Sequence, residues 1–225
     1  MSLQTIDTRF SNIGAGRDFE KILFVLRIGY SSNYFSSFIR RETKLRVFIA
    51  ALIPQEIKYE IKKYVDEIKP YWEGVKWENQ EKLHVTLKFL GEIEESKVEE
   101  VGTALRVLIG NYSPFEMEIS SFGGFPNLRN PRVLFIALSE NKELSRLYNE
   151  IEEGLERVGF SAETRPFVPH ITVGRVKSRA RIKGTLPFPK PHSFLISEVA
   201  VMRSVLGPEG SKYSTISLFR LDKKM

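Results

Sequence analysis

The sequence predicts a mixed fold of helices and strands, built around a strand–helix–strand unit that occurs twice. Three observations carry that prediction. A displacement of 86 residues lays Arg46-Val47-Phe48-Ile49-Ala50-Ala51-Leu52 on Arg132-Val133-Leu134-Phe135-Ile136-Ala137-Leu138. At the same displacement, with no gap, His84-Val85-Thr86-Leu87 lies on His170-Ile171-Thr172-Val173. Each first strand is followed by a segment whose apolar residues recur at helical spacing. With 225 residues, 42% apolar and 28% charged, the chain can bury a core, which excludes wholesale disorder and low-complexity architecture.

Residues 1–43 stand apart: rich in Ser, Phe and Arg and without a clean period, they read as an extension of uncertain role, an arm, a targeting segment or sequence upstream of the true start. The domain proper is 44–225. The segment 45–53, apolar but for Arg46, reads as a buried strand, and Pro54 sits where a helix opens. Ile57, Ile61, Tyr64, Val65 and Ile68 make that helix, which Pro70 stops. Strands follow at 75–77 and at 83–90, the second ending at Gly91, then an acidic-opened helix at 94–109 closed by Gly110-Asn111. Segments 115–122 and 132–138 read as strands joined by a turn-rich loop, Gly123-Gly124-Phe125-Pro126-Asn127. Leu144, Leu147, Tyr148, Ile151 and Leu155 form another amphipathic helix, ended by Gly159. The remainder is strand, at 168–176, 194–203 and 214–221. After the H-x-T strands the two copies diverge, the first into a helix and the second into a basic loop at 177–183.

Composition narrows the chemistry. No cysteine is present, so disulfides, thiolate nucleophiles and zinc–sulfur sites are excluded. Lys and Arg, 34 against 28 acidic residues, give a net charge of +6, which suits phosphate-bearing partners as well as solubility. No apolar run approaches the ~18 residues of a membrane span. The longest near the start, 22–26, has Asp18 and Glu20 upstream and no small-residue cleavage site, so the chain reads as soluble and cytoplasmic. Neither H-E-x-x-H, a Walker loop, a dinucleotide glycine fingerprint nor a nucleophile-elbow serine occurs.

The repeated motif remains. On a strand, His84 and Thr86 share one face, as do His170 and Thr172, while Val85, Leu87, Ile171 and Val173 point to the other. The apolar set belongs to a core; the His/Thr set belongs to a ligand-accepting surface. Packing of the copies about a pseudo-twofold axis brings both imidazoles and both hydroxyls to one cleft. Imidazole titrates at roughly 6.5, so one ring can accept a proton from a nucleophile while the other donates one to a leaving oxygen. Thr86 and Thr172 supply donors for non-bridging phosphoryl oxygens. A pair of histidines without a carboxylate cluster is a poor metal set, so no metal or other cofactor is expected. Which histidine is acid and which is base is open at this point.

Two segments, Leu83-His84-Val85-Thr86-Leu87-Lys88-Phe89-Leu90-Gly91 and Pro169-His170-Ile171-Thr172-Val173-Gly174-Arg175-Val176, resemble the paired H-x-T-x signatures of the 2H phosphoesterase superfamily, and within it the RNA 2′,3′-cyclic phosphodiesterases once named 2′-5′ RNA ligases. The likeness extends over 45–221, including Phe125-Pro126-Asn127 and Gly210-x-x-Tyr213, and does not touch the first 43 residues. It implies a bilobal α+β fold, two antiparallel sheets facing across a cleft with helices outside. It also implies metal-independent hydrolysis of RNA 2′,3′-cyclic phosphate ends to 2′-phosphate, with His84 as proton donor and His170 as acceptor; the expected partner is such an RNA end or a small cyclic nucleotide, with no membrane, and the expected state is a monomer. A non-catalytic RNA-end or nucleotide-binding protein and reversible 2′-5′ ligation are the alternatives. Possible substrate contacts are Lys88, on the His84/Thr86 face, and Arg175, which strict alternation places on the far face and only a twist or bulge returns. Arg129, Arg132 and residues 177–183, with Phe125 and Trp77 for stacking, are candidates for an RNA track. His192 has no repeat partner and reads as exposed and incidental.

Overall fold

Strand β1 (Lys44–Leu52) is the apolar run expected, buried from Val47 to Ala51. The computed structural model describes residues 44–182, 184–208 and 210–222, with backbone alone at 178–182. These lie in one unit, Thr43–Met225, and the N-terminal extension lies outside the described residues. Helix α1 (Gln55–Ile68) opens behind Pro54 and buries Ile57, Ile61, Tyr64, Val65 and Ile68, the stripe read from the sequence. A 3₁₀ turn holding Pro70 ends it. Strand β2 (Trp72–Trp77) and a turn at Gln80–Lys82 lead into β3 (His84–Glu94) and α2 (Glu95–Ile109). Then come β4 (Phe115–Phe125), β5 (Val133–Leu138) and α3 (Lys142–Glu156), whose first turn is capped by the Asn141 side chain accepting from Leu144 N at 2.9 Å. Strands β6 (His170–Ile182), β7 (Ser193–Ile196), β8 (Glu198–Gly207) and β9 (Gly210–Arg220) complete the chain.

The strands pair in the order β7-β4-β5-β6-β3-β1-β8-β9, with β2 also on β6, and every pair is antiparallel. The three α-helices of the described residues contribute to one core with a single face of the strands, including Val47, Ile49, Val85, Leu87, Leu134, Ile136, Ile171 and Val173. The opposite face is left for the His/Thr set. The fold is therefore α+β, antiparallel and duplicated. Its halves, β7-β4-β5-β6 and β3-β1-β8-β9, are not separate sheets, because the Val85↔Ile171 pair joins them into one. Those two residues are equivalent in the repeat, so the pseudo-twofold axis passes through the seam.

Four local readings change. The strand expected at 194–203 is two: Ser197 breaks it, sending β7 to β4 and β8 to β1 and β9, at opposite ends of the sheet. Residues 177–182 are not a loop but the continuation of β6, pairing back to Trp72. Strand β3 continues through Gly91, at φ +76°, to Glu94, and β4 runs through Gly123-Gly124 to Phe125. Finally, Ala51 pairs with Val85 and Ile136 with Ile171, so the first strands of the two copies correspond at 85 residues while the H-x-T strands correspond at 86. The one-residue slip exchanges faces: Phe48 lies against His84, whereas Leu134, its partner in the ungapped match, is in the core.

Candidate functional site

Each histidine begins its strand, and each ring is held in the same way. A carbonyl oxygen only accepts, so His84 Nδ1 donates to Lys82 O at 2.6 Å and His170 Nδ1 donates to Val168 O at 2.7 Å. Both acceptors lie two residues upstream of their ring. This fixes the tautomer of the neutral rings and leaves Nε2 as the free acceptor; the Thr86 hydroxyl donates to His84 Nε2 at 3.1 Å. Antiparallel register about Val85↔Ile171 sets His84 toward Thr172 and His170 toward Thr86.

Aromatic rings seat both imidazoles. Phe48 and Tyr213 lie 5.0 and 5.6 Å from His84, centroid to centroid, and Phe125 and Phe135 lie 5.0 and 5.3 Å from His170. Removal of water disfavours the charged ring, and burial pushes His84 down to about 4. The Lys82 carbonyl opposes this, while Lys58, His170 and Arg175 add to it by repulsion. Burial lowers His170 as well, with Val168 O opposing and Arg175 assisting. Both shifts favour the neutral ring in the free protein.

Beyond the threonines, a matched pair of β-bulges decides which side chains reach the cleft. Ile49 opposes Lys88 and Ala50 opposes Thr86, leaving Leu87 as an extra residue; Leu134 opposes Gly174 and Phe135 opposes Thr172, leaving Val173 extra. Each bulge reverses the alternation. Phe89 and Arg175, both five residues past a histidine, are exposed and line one groove of about 370 Å³ with Arg46, Phe48, Ser204 and Tyr213. Arg175 also pairs with Glu78 at 3.4 Å.

Lys88 is turned the other way. It is 6% exposed and donates to Glu152 Oε2 at 2.5 Å and to Ser161 O at 2.8 Å, so it belongs to the core side and not to the substrate. Phe125 stacks on Phe135 at 4.3 Å and serves as a seat for His170. Arg132 is exposed at the head of β5, its amide bonded to Phe125 O, and Arg46 rather than Arg132 lines the groove. Arg129 is exposed, and Trp77 packs against the core. His192 is half-buried, 3.9 Å from Glu60, and its carbonyl accepts from Ile119 N, so it is part of the framework. Sequence reasoning missed Phe48, Phe89, Tyr213, Lys58 and Glu78 as site residues. Tyr213 was within reach, because it stands in the Gly210-x-x-Tyr213 segment.

A family model described as the 2′-5′ RNA ligase superfamily matches residues 55–208. The chain belongs to that superfamily. Among curated relatives, the RNA 2′,3′-cyclic phosphodiesterase of Methanothermobacter thermautotrophicus is 34% identical over 184 residues, covering 79% of this chain and all of its own. That of Thermotoga maritima is 31% identical over 76% of this chain and 93% of its own. Among solved structures of this superfamily's fold, TT0787 of Thermus thermophilus aligns with a TM-score of 0.71 at 27% identity, covering 80% of this chain and all of that one. Escherichia coli LigT complexed with 3′-AMP aligns at 0.67 and 25% identity, with the same coverage. Among the described residues, no helix is long and apolar enough to cross a membrane.

Proposed function

We propose that this member of the 2′-5′ RNA ligase superfamily hydrolyses 2′,3′-cyclic phosphate ends of RNA to 2′-phosphates, without a metal, through His84 and His170, and that residues 44–225 are the unit that does so. The observation that carries the reading is the matched clamping of the two rings, each pinned through Nδ1 to the carbonyl two residues upstream, on one face about a shared axis. The relatives named RNA 2′,3′-cyclic phosphodiesterase support the substrate class.

The roles are those the resemblance implies, His84 as proton donor and His170 as acceptor, and the surroundings of the pair are compatible with them. The groove opens beside His84, between Phe48, Phe89 and Tyr213, and accepts a nucleoside; the flank of His170 is filled by Phe125 and Phe135. With His84 as donor, the leaving 3′ oxygen faces His84, and water enters opposite it beside His170. Water attacks phosphorus as His170 Nε2 takes its proton, the P–O3′ bond breaks, and His84 Nε2–H protonates the departing oxygen. Protonation of His84 frees the Thr86 hydroxyl for a non-bridging oxygen, with Thr172 and Arg175 meeting the remaining charge. The bound phosphodiester anion restores to His84 the proton that the empty cleft disfavours.

An assay of the purified protein with cyclic-phosphate-ended RNA in chelator tests this. The expected product carries a 2′-phosphate, and His84→Ala or His170→Ala each lowers kcat by about 10²–10⁴-fold. Undiminished turnover in either variant, or its loss on chelation, overturns the mechanism; binding without turnover in the wild type leaves RNA-end recognition instead.

A further inference from the structure

The segments that deliver the two histidines are moored crosswise, each to the strand carrying the other. Ahead of His84, the Glu78 amide donates to Val173 O on β6 at 2.8 Å. Ahead of His170, Ser161 O accepts from Lys88 on β3 at 2.8 Å, and the Glu163 amide donates to Glu152 Oε2 at 2.9 Å, the same oxygen that holds Lys88 at 2.5 Å. Val173 and the residue before Lys88 are the two bulged positions, so both moorings act where the strands change face. The second is unusual in being ionic: Lys88 and Glu152 are 6% and 8% exposed. Buried ion pairs are weak evidence for stability, because apolar pairs of the same volume often serve as well. What an apolar pair lacks is direction. Two donors and one shared carboxylate oxygen fix β3, α3 and the 161–163 segment at one point, and that segment leads to Val168, whose carbonyl orients the His170 ring.

We propose that Lys88 and Glu152 are positioning residues that set His170, through the 161–168 segment, at its working distance from His84. The proposal rests on the two-histidine reading above. A misplacement of about 1 Å in such a site costs on the order of 10²-fold in rate. The test compares wild type, Lys88→Met/Glu152→Met and Glu152→Gln by steady-state kinetics on a cyclic nucleotide, thermal unfolding, and imidazole ¹H–¹⁵N NMR titration.

The paired Met variant is expected to keep its melting temperature within a few degrees while kcat falls about 10–100-fold, KM changes less than about threefold and the His170 titration moves. Glu152→Gln, which retains the shape and an acceptor, is expected to lose less activity than the Met pair. Wild-type kcat and an unmoved His170 titration in the Met pair overturn the mooring; if the Met pair does not fold, the same result in Glu152→Gln overturns it. A displaced His170 titration in a protein whose wild type does not turn over cyclic phosphate leaves the mooring standing and refutes the chemistry.

Discussion

At the scale of the residue, the two imidazoles are set against ionisation by their surroundings. His84 is held at about 4, below the roughly 6.5 of an unfolded chain, chiefly because Phe48 and Tyr213 keep water from it. A depressed histidine binds its proton more tightly unfolded than folded. Its contribution is thus complete above about pH 6.5 and is lost as pH falls toward 4, up to about 3 kcal/mol before solvent screening reduces it. Thermal unfolding is expected to drop across that window and to drop less in His84→Gln; equal acid sensitivity of the two proteins counts against the burial account. A nucleoside 2′-monophosphate, placing an anion between the rings, is expected to raise the His84 titration by about one unit or more in NMR. His84, Thr86, His170 and Thr172 were legible in the sequence because period-two alternation and the repeat both single them out. The aromatic seats were not, since Phe48 and Phe135 sit inside apolar runs that read the same whichever face they present.

Strand irregularities govern the next level. Strict alternation assigned Lys88 to the cleft and Arg175 away from it, and the paired bulges at Leu87 and Val173 reverse both. No sequence signal marks a bulge of this kind, although Gly174 carries a trace of one. A Cβ there would stand 2.9 Å from Val75 Cγ1 and 3.2 Å from the Trp77 ring, so only glycine lets β2 close on β6. Gly174→Ala is expected to destabilise by about 1–3 kcal/mol and, by shifting the bulge, to weaken substrate binding through Arg175. An unchanged melting temperature together with an unchanged KM would remove the bulge from the account. The helices were read correctly in kind and buried face because 3.6-residue periodicity is long enough to be unambiguous, whereas the break at Ser197 lies in a stretch apolar on both sides and leaves no mark.

For the molecule as a whole, the repeat was the most informative sequence feature, and its error is equally instructive. The ungapped match at 86 residues is sound for the histidine strands and one residue off for their neighbours, because similarity of apolar runs does not fix register while burial does. The seam rests on Val85 and Ile171, 1% and 0% exposed. Ile171→Ala is expected to cost about 2–5 kcal/mol and to lower kcat, whereas Leu147→Ala, equally buried but on α3 rather than on a seam strand, is expected to cost a similar amount of stability with kcat preserved. Equal effects on kcat from both truncations would show that the seam has no special part in aligning the rings.

Covalent linkage of the halves removes an obligation that a dimer of identical subunits would carry. Two copies of one polypeptide meeting on a true dyad must present the same side chain at every equivalent place, so neither imidazole has a distinct neighbour until something binds. Here the fifth position past the histidine is an aromatic ring in one half and a guanidinium in the other, so the nucleotide finds a cleft already polarised before it arrives.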